Sequence, residues 1–431
     1  MQINILRLMK FTNSFTSNRI TKSVRMKKLL IFLFLLRGLT YSNAQCLDGD
    51  CKNGIGSAIF SKTGGVRYTG QFKNKRPNGN GIAEYPNGRR YEGDWAQGLW
   101  HGQGKLTLTD GTSLSGEWKF GKFKGNISYD PTPENLPKTR NEEPIVYDNI
   151  TREQKPNDIP TPIKNTKIKD KPTENTETAI PSVIMPEIWA LSVGVADYDN
   201  PTIPRLKYPD NDAWSMYAFW RSPFGGALDD DHIEILVSDA ATKQAVTSSM
   251  KHMFSKATNK DLVIFFFSGH GLKGSFLPND YDGENVRLYH NDINKMLNAC
   301  PARQKLVIAD ACHAGSYLAS KSPSRPTAET PELFYSELGK AQAGTAFMLS
   351  SLADEESLEV SSLHNSVFTY FVLKGVKGEA NSNGDNIVTI QELFDFVHEN
   401  VTKYAASLGK TQTPIMKGDY DPNMPVAVVK K

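Results

Sequence analysis

Long apolar runs are the first thing this sequence lacks. The stretch at residues 29–36 is closed by Arg37, whereas a bilayer core of about 30 Å needs roughly 20 apolar residues. No transmembrane segment is expected. Charge bias is also missing: 50 Lys and Arg stand against 47 Asp and Glu, a net charge of +3. A nucleic-acid partner is therefore excluded, because such proteins concentrate basic residues on one element. Cysteine is scarce, with four in 431 residues, too few for a disulfide-built scaffold.

What the start does hold is ordered. Met26, Lys27 and Lys28 precede the short apolar run, and Ser42, Asn43 and Ala44 follow it. That is the order of a secretory signal peptide, placed at residues 1–44, with translation expected to begin at Met26. The product is expected to be exported, to the periplasm or the extracellular space. Gln45 before Cys46 suits lipid attachment poorly. Cys46 and Cys51 lie close enough for a small disulfide in such a compartment, and Cys300 reads as a buried small hydrophobe.

The length predicts two or three units. Tyr68-Thr69-Gly70-Gln71-Phe72 recurs as Tyr91-Glu92-Gly93-Asp94-Trp95 and as Leu114-Ser115-Gly116-Glu117-Trp118, a step of 23 residues. Gly79/Gly81 and Gly102/Gly104 keep the same step, with looser copies at Gly54/Gly56 and Gly125. Turns such as Asn87-Gly88 and Asp110-Gly111 join the strands into hairpins. The segment resembles MORN repeats, and a small all-β meander is expected over residues 45–129. Its glycines and aromatics are read as architecture, with binding of a protein partner or self-association as the functional alternative. Residues 130–185 are rich in Pro, Thr, Lys, Asn and Glu without apolar periodicity, the composition of a flexible linker.

From residue 186 to 431 short apolar runs alternate with helical patterns, which predicts an α/β domain with an open, mostly parallel sheet and helices on both faces. Strands are expected at residues 189–195, 233–237, 262–267, 306–309 and 346–350. Thr242 and Asn291 are candidate helix caps. In such sheets the active site lies outside the carboxyl ends of the strands. One strand runs into Ser268-Gly269-His270-Gly271, and the next into Asp310-Ala311-Cys312-His313-Ala314-Gly315. Adjacent parallel strands would deliver His270 beside Cys312, and a cysteine paired with a histidine can work as a thiolate nucleophile. The backbone N–H groups of Gly271 and Cys312 suit a developing oxyanion. His313 competes for the base role, but neighbouring residues on a turn point in different directions. A zinc site lacks a fourth ligand at suitable spacing.

These two runs, with Leu277-Pro278, Asp280 and Ser350-Ser351, resemble the caspase family, including metacaspases and paracaspases, over about residues 186–425. Legumain-like and gingipain-like peptidases share the order His then Cys. The resemblance implies a caspase-like sheet and a cysteine endopeptidase acting through a thioester, with Cys312 as nucleophile and His270 as base. The rival reading is a catalytically silent scaffold whose repeats bind a partner. Likeness to metacaspases implies substrates with Arg or Lys before the cut, received by Asp310, Asp212 and Asp354. For Asp212 a helix N-cap is the alternative. No cofactor is expected. Asn381, Asn383, Asp385 and Glu392 approach the spacing of a calcium loop, and some metacaspases respond to calcium, but Asn386 stands where the loop needs glycine. Thr389 and Glu392 equally make a capping box. Self-cleavage is expected at Lys321 or Lys340, in a polar, Pro-containing stretch.

Overall fold

The 23-residue step becomes a row of hairpins. In this computed structural model, which describes residues 44–60, 65–125, 186–311, 344–352 and 355–429, eight strands pair in chain order and antiparallel. They are β1 (Ala44–Gly49), β2 (Ile55–Phe60), β3 (Val66–Lys73), β4 (Arg76–Glu84), β5 (Arg90–Ala96), β6 (Leu99–Thr107), β7 (Ser113–Lys119) and β8 (Lys122–Phe123). A disulfide joins Cys46 to Cys51. The repeated residues do repeated work. Trp95 and Trp118 each donate an indole N–H to a carbonyl fourteen residues back, Gly81 O at 3.1 Å and Gly104 O at 3.0 Å. A Cβ on Gly81 would lie 2.2 Å from the Tyr68 hydroxyl, and one on Gly104 2.2 Å from that of Tyr91. Only glycine lets the rings lie there.

The second sheet is built from β9 (Ile188–Gly194), β10 (Ile233–Val237), β11 (Leu262–Ser268), β15 (Gln304–Asp310), β16 (Gly344–Leu349) and β20 (Ile415–Lys417). Its order is β10-β9-β11-β15-β16-β20, with β20 alone antiparallel. Between them come α1 (Pro209–Arg221), α2 (Lys243–Phe254), α3 (His290–Ala299), α4 (Val367–Lys374) and α5 (Ile390–Ser407). Three small sheets complete the fold: β12 (Gly271–Leu272), β13 (Ser275–Phe276) and β14 (Leu288–Tyr289) form a three-stranded one, β17 (Glu359–Val360) pairs with β18 (Asn365–Ser366), and β19 (Ile387–Thr389) pairs with β21 (Pro425–Val428).

Because side chains alternate along a strand, Ala190, Ile264 and Phe266 face a core shared with α1, α4 and α5, while Leu191, Phe265 and Phe267 face one shared with α2 and α3. Thr242 caps α2, accepting the Ala245 N–H at 3.2 Å. Asn291 does not cap α3. That helix starts at His290, directly from β14, and Tyr289 at its N-cap makes no side-chain bond. Thr389 and Glu392 form the reciprocal capping box of α5, and Glu392 Oε1 also accepts from the Ser382 N–H and hydroxyl at 3.0 Å.

The repeat sheet shares the first core. Trp100 and Trp118 lie 5.6 and 5.9 Å from Trp214 of α1, and Arg221, at the end of α1, sits over Phe123 and donates to Gly125 O at 2.8 Å. No helix among the described residues is long and apolar enough to cross a membrane.

Candidate active site

Strands β11 and β15 are adjacent and parallel, with Ser268 opposite Asp310 in register. Their ends are tied together, since the Gly269 N–H donates to Asp310 O at 3.1 Å. Both chains therefore leave the sheet level, His270 two residues after one strand and Cys312 two after the other. Cys312, His313 and Asp354 lie outside the described residues, as do Lys321 and Lys340. Ala311, just before Cys312, is held by Ser350, whose Oγ accepts its N–H at 3.1 Å.

His270 is half-buried and held on two sides. Its backbone N–H donates to the Tyr198 hydroxyl at 2.8 Å, and its ring lies 5.3 Å from that of Tyr198. Its Nε2 is 2.8 Å from Pro204 O. A carbonyl oxygen only accepts, so this contact assigns the proton to Nε2 and leaves Nδ1 as the basic nitrogen. Gly271 begins β12, bridged to Phe276.

Asp212 and Asp310 meet at the same strand ends. Asp212 is not an N-cap: it lies inside the first turn of α1, which starts at Pro209, and its side chain is fully buried. Its carboxylate accepts from the Ser268 hydroxyl at 2.7 Å, Asn365 Nδ2 at 2.8 Å and the Ser366 N–H at 3.2 Å. Asp310 accepts from the hydroxyls of Ser357 at 2.5 Å, Thr369 at 2.6 Å and Ser366. Ser366 thus bridges the two carboxylates. Burial pushes Asp212 well above the usual carboxylate range, and the neighbouring Asp310 charge adds to it. Burial raises Asp310 as well, with the bonds from Ser357, Ser366 and Thr369 pulling it back. Neither forms an ion pair with a Lys or Arg among the described residues.

Residues 188–421, more than half of the chain, match the caspase domain family, and residues 68–89 and 91–113 match the MORN repeat. The chain belongs to the caspase-domain family. No curated protein matches it. Among solved structures it is similar to a protein of Geobacter sulfurreducens, at 16% identity over 57% of this chain and 100% of that one, with a TM-score of 0.39.

Within the caspase domain, sequence reasoning missed Ser268, Asn365 and Ser366 as donors to the acidic pair. Ser268 was legible, since it opens the Ser-Gly-His-Gly run. Asn365 and Ser366 come from β18, more than 150 positions away in the chain, and had no local signal. Tyr198 and Pro204 were missed for the same reason. Among the described residues no group of three or more His, Cys, Asp or Glu is disposed to hold a metal. A cavity of about 1150 Å³ between the repeat sheet and β10 is lined by none of His270, Asp212 and Asp310.

Proposed function

We propose that this caspase-domain chain is a cysteine endopeptidase cutting after Arg or Lys. The observation that carries the reading is the acidic pair Asp212 and Asp310 at the strand ends bearing the nucleophile and base runs, with no basic side chain of the described chain neutralising it. Among the described residues, these two buried carboxylates with raised proton affinity have no Lys or Arg partner. A substrate guanidinium or ammonium would supply one through charge-assisted hydrogen bonds. Asp354 joins them as a candidate from sequence alone.

His270 Nδ1 takes the thiol proton of Cys312, and the thiolate attacks the scissile carbonyl. The resulting oxyanion is received by the N–H groups of Gly271 and Cys312. Collapse expels the amine, which takes the proton back from His270, and water then hydrolyses the thioester. Pro204 O holds the ring in the tautomer this sequence requires. The Cys46–Cys51 disulfide supports export to an oxidising compartment. The Glu392 carboxylate, last of the calcium-loop oxygens, is engaged by Ser382 and Thr389. The test is a peptide-library digest with the purified protein beside its Cys312→Ala form. Cuts after Arg and Lys only in the unaltered protein support the proposal, and an aspartate-dominated profile or no cuts overturns it.

A further inference from the structure

The turn between β4 and β5 belongs to the repeat sheet, yet it reaches both walls of the acidic pair. The Tyr85 N–H donates to Arg89 O at 2.9 Å and the Gly88 N–H to Tyr85 O at 2.8 Å, which closes the turn. Asn87 then presents its carbonyl to the caspase domain. Asn211 Nδ2 donates to Asn87 O at 2.9 Å and to His364 O at 2.9 Å. Two carbonyl acceptors on one side chain fix which way its amide faces. Asn211 is itself buried, at 1% exposure.

Each of those contacts is one residue from the pair's own shell. Asp212 follows Asn211, and Asn365 and Ser366, the amide donors to Asp212, follow His364. His364 holds a left-handed backbone, φ 54°, a conformation that a non-glycine residue keeps only when its surroundings impose it. The turn leaves no room to slacken. A Cβ on Gly88 would lie 2.8 Å from Thr109 Cγ2 and 3.4 Å from His364 Nδ1. On the other side Arg89, only 4% exposed, places Nη2 3.6 Å from Asp210 Oδ2, and the same Asp210 carboxylate takes the Ser238 hydroxyl at 3.0 Å. The corresponding turn of the next repeat makes a second link, Asp110 to Lys377 at 2.5 Å.

We propose that the repeat turn at Asn87–Arg89 is a positioning element for the acidic pair, so that the MORN sheet sets the affinity of the catalytic domain for basic substrates. This rests on the basic-specific peptidase reading above. Neither Arg89 nor Asn211 touches substrate in this scheme. Arg89 holds Asp210, and Asn211 joins the turn to the His364 bend, so the two walls keep the spacing that a guanidinium needs.

The test uses the full chain with Arg89→Met, Asn211→Ala and the conservative Arg89→Lys. Losing a buried ion-pair partner at Arg89 or a buried hydrogen-bonding partner at Asn211 is expected to raise KM for Arg and Lys peptides about tenfold. Over the same variants kcat and the rate of inactivation by iodoacetamide, a small neutral alkylator, are expected to stay within about twofold. Arg89→Lys should recover most of the lost affinity. In parallel, native-state hydrogen exchange of the Ser366 amide, the donor to Asp212, is expected to quicken about tenfold in Arg89→Met and Asn211→Ala. Unchanged KM in folded variants overturns the proposal, as does a fall in kcat and alkylation rate matching the rise in KM. If the unaltered protein cuts no basic peptide, the peptidase reading fails while the exchange measurement still decides the brace: unchanged Ser366 protection refutes it and quickened exchange supports it.

Discussion

The two sheets of this protein solve burial in opposite ways. In the repeat sheet β3 alternates buried and exposed residues, Tyr68 and Phe72 inward and Arg67 and Thr69 outward, and every strand pairs with its chain neighbour. In the caspase-domain sheet β9 and β11 are buried along their whole length and pair across long crossovers. A one-layer antiparallel sheet has a single apolar face and needs a cover. Here the cover is α1, which brings Trp214 to the repeat aromatics and carries Asp212 in its first turn, two residues before. The contrast teaches that the repeat sheet and the caspase-domain sheet share one helix, so the two are not separable by domain name.

The largest expected effect tests where chemistry is confined. Cys312→Ala and His270→Ala should each lower kcat/KM by about a thousandfold or more, because members of one catalytic unit fail together. Neither should move the melting temperature much, since both follow strand ends and His270 is only half-buried. Near-normal turnover of His270→Ala on a fluorogenic arginyl peptide would refute it as the base. The matching expectation for the repeat sheet is that an exposed substitution such as Thr69→Ala leaves turnover unchanged.

The next effect tests whether α1 is common property. Trp214 is 3% exposed between the two sheets, and truncating a buried tryptophan costs about 3–5 kcal/mol. Trp214→Ala should therefore shift a single cooperative denaturant transition, followed by circular dichroism and tryptophan fluorescence together. Two separated transitions, only one of them moved, would show that the sheets fold independently.

A third expectation concerns the strand ends of the caspase-domain sheet. Removing one charge of a buried ionic contact costs about 2–5 kcal/mol, so Asp310→Asn should raise KM for arginyl peptides roughly 30-fold or more. A neutral substrate, cut slowly by the unaltered enzyme, should show no such change. Equal losses on both substrates would mean that Asp310 serves as the helix-end acceptor for Ser366 and Thr369 and not as a specificity group.

How much of this was legible follows from the same contrast. The repeat strands announce themselves because each 23-residue unit carries its own ring, glycine and turn, and all partners are local. The parallel strands were legible from apolar runs, with ends within about two residues of those observed. That the strands carrying the two motif runs are adjacent was only a condition at the level of sequence, and the register of Ser268 against Asp310 meets it. What the sequence withheld was the company each site residue keeps. Pro204 reaches His270 across 66 positions, and Asn365 reaches Asp212 across 153. For Asp212 before an apolar helix a cap was the alternative to the pocket role, because capping is a local rule. Asp212 became a buried acid because Pro209 starts the helix earlier and Asn365 of β18 closes over it. Asn87-Gly88 and Asp110-Gly111 were legible as turns, but nothing local tells a turn what it will touch.

The smallest expected effect is on stability, and its sign separates a functional acid from a structural one. Burial raises the proton affinity of Asp212 in the folded chain above that of an unfolded aspartate. The folded state then binds more protons than the unfolded state between the two pKa values, and stability falls as pH climbs from the ordinary carboxylate range, about 4, toward the raised folded value. The cost grows until pH passes the raised folded value, while below about pH 4 both states are protonated and it vanishes. Asp212→Asn removes the charge and can keep the geometry. Its Oδ1 still accepts from Asn365 Nδ2 and the Ser366 N–H, and its new Nδ2 can donate to the Ser268 hydroxyl, which turns to accept. The neighbouring Asp310 also loses a repulsive charge. The melting temperature of Asp212→Asn should therefore exceed that of the unaltered protein at pH 7, by about 2–4 °C for each kcal/mol recovered, and the gap should close on acidification toward pH 4. Activity on arginyl peptides should fall over the same range in which stability rises. A variant that melts lower at neutral pH, or by a margin indifferent to pH, would show that the Asp212 carboxylate is held for the fold and not kept charged, at a cost, for a substrate cation.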